Sequence, residues 1–220
     1  MIELKGLSKT YAVSGKTIKA VQRLDLAVQQ GEFVSIVGHS GSGKSTFLSL
    51  VGGLARPDTG AVVIDGENIW EYADKRLSRL RNEKFGFVYQ FASLIPTLTA
   101  TENVLLPTVF GGRKTRPEAV KLLERVGLGD KTDRYPSELS GGEQQRVAIA
   151  RAFIQNPEII LADEPTGDLD EETEAEIMAF FEAINREKKV TVIMVTHSSE
   201  LALRAQKRLR MKQGVLEQLQ

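Results

Sequence analysis

"GHSGSGKST" occupies Gly38–Thr46, directly after the apolar run Phe33-Val34-Ser35-Ile36-Val37. The run reads as a buried strand and Lys44 to Gly52 as a short helix. Between them, Gly38, Gly41 and Gly43 with Ser40 and Ser42 make a poor core and a poor start to an ordinary helix. Glycines let backbone N–H groups turn inward around an anion, and a helix N-terminus adds its positive end. Gly38-x4-Gly43-Lys44-Ser45, set between a strand and a helix, fits the P-loop pattern. Lys44 is then expected to reach the β- and γ-phosphates of a nucleotide, and Ser45 a Mg²⁺ ion. Thr46 and the loop amides would take the α- and β-phosphates, while His39 is a loop position with no proton-transfer role. A plain glycine-rich turn does not account for strand, spacing and Lys-Ser together.

Outward from this stretch, Ile2–Leu7 alternates as a half-buried strand, and Thr17–Val28 places Leu24, Leu26 and Val28 on one face. Glu32–Val37 is continuously apolar, as a parallel sheet covered on both faces requires. Ala61–Gly66 is a strand ending in an Asp-Gly turn, and Phe85–Tyr89 is another. From Gln90 to about Asn156 the pattern is helices and loops. Ile159–Ala162 and Val190–Val195 restore buried strands, separated by a helix over about Glu171–Glu187. The tail from Arg208 to Leu219 reads as a small hairpin around Lys212-Gln213-Gly214. These patterns predict one domain over 1–220. It has an α/β core (1–90 and 157–220) and an inserted helical subdomain (about 91–156).

The 220 residues carry 29 Lys+Arg and 29 Asp+Glu, so the chain lacks the global basic field of a dedicated nucleic-acid binder. With no cysteine, disulfides and thiolate metal sites are excluded. No apolar run approaches the ~20 residues needed to span a bilayer, and MIELKGLSKT lacks a signal-peptide apolar stretch. Any membrane role is expected to come through a partner. Trp70 and Tyr72 read as packing on a peripheral helix or loop. Lys75, Arg76, Arg79 and Arg81 read as a solvated face.

Ile159-Ile160-Leu161-Ala162-Asp163-Glu164 ends a buried strand in two carboxylates, an expensive placement unless a cation or a reacting water uses them. Asp163 would hold Mg²⁺. Glu164, pointing the opposite way by strand alternation, would orient or activate an attacking water. Further back, Ser140-x-x-Glu143 is a capping box opening a helix through Ala152. Gly141 and Gly142 weaken that helix start, which makes sense if a backbone must approach another phosphate closely.

Leu139-Ser140-Gly141-Gly142-Glu143-Gln144-Gln145-Arg146 and the residues through Ala152 resemble the signature sequence of ATP-binding-cassette (ABC) ATPases. The resemblance covers essentially the whole chain. It implies a P-loop NTPase core, with a mixed sheet, flanking helices, an antiparallel β subdomain and the inserted helical lobe. It further implies that Tyr11 stacks on adenine and that Gln90 touches Mg²⁺ and links the core to the lobe. Gly167-Asp168-Leu169-Asp170 matches the D-loop, although Asp170 is equally a plausible N-cap. His197 matches the histidine that contacts the γ-phosphate. By the same resemblance, two chains pair head to tail, each ATP lying between one P-loop and the opposite Ser140-Gly141-Gly142.

The stretch Gln90–Pro107 and Asp163–Asp170 resemble the lipoprotein-releasing and macrolide-exporter group. This implies a motor at the cytoplasmic face of the inner membrane, peripherally attached to integral transporter subunits and binding no nucleic acid. The end of the chain at Gln220 favours a free-standing subunit. Cell-division and peptide-resistance ATPases of the same group remain alternatives, as does a soluble ABC ATPase acting on DNA or ribosomes. Leu94, Ile95, Leu98 and Val104 are candidate apolar contacts for the membrane partner, the alternative being that they fill the lobe's own core.

Overall fold

Among the described residues, ten strands and seven α-helices bring the Gly38–Thr46 loop, Gln90, Asp163, Glu164 and His197 to one sheet edge. The computed structural model describes residues 1–13, 15–111, 114–167 and 169–219. In chain order they are β1 (Ile2–Val13), β2 (Lys16–Val28), β3 (Phe33–Val37), α1 (Lys44–Val51), β4 (Thr59–Ile64) and β5 (Glu67–Asn68). Next come α2 (Asp74–Lys84), β6 (Phe85–Val88), α3 (Ala100–Leu105), α4 (Arg116–Arg125), α5 (Gly141–Phe153) and β7 (Ile159–Asp163). The chain closes with α6 (Glu171–Lys188), β8 (Thr191–Thr196), α7 (Ser199–Ala202), β9 (Lys207–Lys212) and β10 (Val215–Gln218).

A four-stranded antiparallel sheet has the order β2-β1-β4-β5. The six-stranded sheet has the order β10-β9-β3-β8-β7-β6 and is parallel except at β10, which returns antiparallel along β9. Because β3, β6, β7 and β8 run the same way, the segments after Val37, Val88, Asp163 and Thr196 leave one common edge. Ligands of such sheets bind outside the carboxyl ends of the strands.

Strand alternation divides the core between the two faces of this sheet. Ile160, Ala162, Val192 and Met194 join one buried cluster with α3, α4, α5 and α6. Ile159, Leu161, Ile193 and Val195 join the other, with α1 and the antiparallel sheet. Phe47, Leu50 and Val51 on the inner face of α1 are fully buried, each worth roughly 1.5–3 kcal/mol relative to exposure. Helix α5 lies directly on β6: a Cβ on Gly86 would stand 2.4 Å from the Ala152 carbonyl oxygen, so only glycine fits there.

Several expectations are revised. β1 continues beyond Leu7 to Val13 and pairs with β2 almost to the hairpin tip, so Tyr11 sits inside a ladder opposite Ile18. The helix α2 offers the core only Leu77, buried, and Leu80, one turn on and half-buried, and polar contacts such as Arg81 Nη1 donating to the Gly53 carbonyl add to that hold. Val104 is no docking contact; it is fully buried between α3 and its neighbours, with Leu94 packed on the same cluster. Ile95 is exposed. Trp70 lies in a 3₁₀ turn (Ile69–Glu71), and both Trp70 and Tyr72 pack half-buried on the core.

Candidate active site

The turn between β3 and α1 is built by backbone rather than side chains. Gly43 caps α1 with φ 108°, and a Cβ there would meet the Ala20 carbonyl oxygen at 2.1 Å. No L side chain fits that conformation or that gap. The loop is buttressed from behind: Gly214 N–H, in the β9–β10 turn, donates to the Ser42 carbonyl at 2.9 Å. Gly38 N–H donates to the Thr196 carbonyl at 3.3 Å, tying the loop to the end of β8. Lys44 folds back over the loop, donating to the carbonyls of Gly38 (2.7 Å) and His39 (3.3 Å). Ser42 Oγ is buried with no hydrogen-bond partner. A glycine-built turn, a buried ammonium and a buried unpaired hydroxyl fit a bound phosphate chain.

Two strands away, β7 delivers both carboxylates to the same place. Asp163 and Ser45 line the cavity together. Burial holds the Asp163 pKa above the usual carboxylate value, and the nearby Glu164 charge adds to that rise; the Ser45 hydroxyl and Lys44 oppose it. Glu164 does not point away by alternation as the sequence suggested. The strand ends at Asp163, and Glu164 turns into the left-handed region with φ 47°. Its side chain therefore swings onto the strand edge, where Oε1 lies 3.4 Å from Lys44 Nζ. Oε2 accepts from the His197 backbone N–H at 2.9 Å and lies 2.9 Å from His197 Nδ1.

These groups line one cavity of about 460 Å³. Its lining includes the residues from Ser40 to Thr46 with Gln90, Asp163, Glu164 and His197. Tyr11 and Ile18, cross-strand partners in the β1–β2 hairpin, line it too. Ser45, Asp163 and Gln90 supply hard oxygen donors of the kind Mg²⁺ takes, with a single carboxylate among them. Among the described residues no group of three or more His, Cys, Asp or Glu is placed to hold a metal. A cation here would need phosphate oxygens and water to complete its shell.

Gly38 and His39 belong to the loop but do not line the cavity. Neither do Ser140, Gly141, Gly142 or Asp170. Ser140 caps α5 in the expected box, its Oγ accepting from Glu143 N–H while Glu143 accepts from Ser140 N–H. Asp170 caps α6, accepting from Thr173 N–H at 2.9 Å, a bond that lowers its pKa. Asp168 and Gln220 lie outside the described residues.

Sequence reasoning missed Ile18 and Ala20, which reach the cavity only through the hairpin register. It also missed a larger groove of about 980 Å³ lined by α2, β6 and α5. Leu54, Phe87, Leu106 and Pro107 give it an apolar lining, and Lys75, Arg79, Arg81 and Arg151 a basic one. Burial pulls the Arg151 guanidinium below its usual pKa.

A family described as "ABC transporter" matches residues 21–167. The chain is 48% identical over 205 residues to the uncharacterized ABC transporter ATP-binding protein YknY of Bacillus subtilis, covering 92% of this chain and 89% of that one. It is 44% identical to the lipoprotein-releasing system ATP-binding protein LolD of Xanthomonas oryzae, covering 100% of this chain and 91% of that one. The macrolide export ATP-binding/permease protein MacB of Syntrophobacter fumaroxidans is 42% identical across 99% of this chain, which spans only 31% of that longer protein. The solved dimer of the ATP-binding cassette MJ0796, bound to ADP and Pi after hydrolysis, superposes with a TM-score of 0.93 at 42% identity. That match covers 100% of this chain and 99% of the other.

Proposed function

The chain belongs to the ABC transporter family, and from that premise we propose how its cleft hydrolyses ATP and what its second groove receives. It is an ATPase, the nucleotide-binding motor of a transporter. The observation that carries the mechanism is the convergence of Lys44, Ser45, Asp163, Glu164 and His197 on one cavity.

Tyr11 offers its ring to the adenine, and Ile18 flanks it. The loop amides, Lys44 and Thr46 hold the phosphates. Ser45, Gln90 and Asp163 would hold Mg²⁺, which when bound neutralises charge on the β- and γ-phosphates. Glu164 draws a proton from the attacking water, and His197, fixed by both of its contacts to Glu164, faces the γ-phosphate. Ser140, Gly141 and Gly142 stand clear of the cavity because they serve the ATP of a second copy, and Asp170 belongs to that same interface. Residues 91–156 act as the lobe that presents them.

The groove between α2, β6 and α5 receives a cytoplasmic segment of an integral membrane subunit. Tyr89 and Ser93, flanking Gln90, reach that groove, which links docking to the nucleotide. No helix among the described residues is long and apolar enough to cross a membrane. The likeness to LolD and MacB supports a motor held peripherally on the cytoplasmic face of the inner membrane, in a system of the lipoprotein-release or efflux type.

Affinity purification from detergent-solubilised membranes tests this reading. A polytopic membrane protein should co-purify with the chain, free of nucleic acid. Recovery of DNA or RNA without a membrane protein would overturn it.

A further inference from the structure

One side-chain amide touches the backbone beside two of the proposed reacting groups. Gln145, on α5, is 3% exposed. Its Nε2 donates to the Tyr89 carbonyl at 2.8 Å and to the Pro165 carbonyl at 3.0 Å. Tyr89 immediately precedes Gln90, and Pro165 immediately follows Glu164. Both hydrogens of the amide are engaged, and since both partners are acceptors, the nitrogen must face them.

We infer that Gln145 is a positioning residue that sets Gln90 and Glu164 together, acting from the helix that carries the signature. Glu164 occupies a left-handed conformation that a non-glycine residue holds only when its surroundings over-determine it. The Pro165 carbonyl, one residue on, is part of that restraint. On the other side of Gln90, Arg151 from the same helix donates to the carbonyls of Ala92 and Ser93 at 2.7 and 2.9 Å. The loop around Gln90 is thereby gripped by α5 on both flanks, but only Gln145 also reaches the Glu164 turn. Few other side chains can do this. Asparagine is one methylene too short, and glutamate would aim a carboxylate at two carbonyl oxygens. Lysine would bury a charge with no counter-ion.

The inference rests on the roles given to Gln90 and Glu164, so Glu164→Gln is measured beside it. Gln145→Met keeps length and volume and removes both bonds; Gln145→Glu keeps shape and reverses the donor. Steady-state ATPase is followed against ATP and against Mg²⁺, with nucleotide affinity in EDTA and thermal melting as controls. Misplaced reacting groups should lower kcat at least about tenfold and raise the Mg²⁺ needed for half-maximal rate at least about threefold. Affinity for ATP in EDTA should stay within about twofold, because Tyr11, Lys44 and the loop are untouched. A folded Gln145 variant with wild-type kcat and Mg²⁺ dependence, while Glu164→Gln is inactive, overturns the inference and leaves the site standing. Retained turnover in Glu164→Gln itself would instead remove the site assignment. Failure of both Gln145 variants to fold, or a fall in ATP affinity parallel to kcat, makes Gln145 a structural residue and also overturns the inference.

Discussion

Lys44 Nζ lies 3.4 Å from Glu164 Oε1, joining the lysine that opens α1 to the carboxylate that follows β7, two strands away in the sheet. Both side chains are close to nine-tenths buried or more, so neither charge is screened by bulk water. The same ammonium also bonds two loop carbonyls. A phosphate seated in the loop shares this ammonium with Glu164, and each of the first predictions perturbs one member of that arrangement.

Among the described residues Lys44 is the one Lys or Arg that lines the cavity, and alanine there removes that cation. Charge-assisted bonds contribute about 1.5–3 kcal/mol each, so ATP affinity should fall by about 10- to 100-fold and turnover should vanish. Titration calorimetry and phosphate release measure the two effects. Wild-type affinity in the folded variant would contradict the phosphate site.

Asp163 has its pKa raised by burial and by the neighbouring Glu164 charge. A carboxylate with a raised folded-state pKa penalises folding once ionised. The penalty is absent below the unfolded value and grows as pH rises through the folded one. Asp163→Asn keeps an acceptor for Ser45 and removes the charge. Without Mg²⁺ it should melt at a higher temperature than the wild type at pH 7.5, the gap narrowing toward acid pH, while losing ATPase activity. A lower melting temperature at pH 7.5 would contradict the electrostatic account.

The groove between α2, β6 and α5 and the buried cluster around α3 should respond differently to an added charge. Leu54 is 48% exposed and lines the groove, so Leu54→Asp should leave folding and soluble ATPase unchanged while abolishing co-purification of the membrane subunit. Val104 has no exposed surface, so Val104→Asp should destabilise the chain by about 3–5 kcal/mol. Denaturant melts and pull-downs of both variants check this. A folded Leu54→Asp that still retains its partner would place docking elsewhere.

The phosphate loop was legible because its chemistry depends on local spacing: strand, glycines, Lys44 and Ser45 are consecutive. The capping boxes at Ser140 and the N-cap at Asp170 were legible for the same reason. Glu164 was misread because alternation holds only inside a strand, and its left-handed turn follows the last strand residue. Helix α2 carries only Leu77 and Leu80 on its apolar side, too short a stripe for periodicity to reveal it. Val104 and Ile95 are both apolar, and only packing separates the buried one from the exposed one. Gln145 stands in the signature beside residues that drew notice for glycine and charge. Its partners lie 56 and 20 residues away, so no local pattern could announce them.

The central claim is that each catalytic cleft is completed by the signature of a second copy. Glu164→Gln keeps size and hydrogen bonding but is a poor proton acceptor, and general-base catalysis is worth about 10²–10⁴-fold in rate. The variant should bind ATP normally, hydrolyse it slower by about that factor, and accumulate as a dimer. Light scattering of Glu164→Gln with and without ATP, alone and combined with Ser140→Arg, is the most direct test. The account predicts an ATP-dependent dimer in the single variant and a monomer at every ATP concentration in the double one. A single variant that stays monomeric with ATP bound, or a double variant that still dimerises, would contradict it.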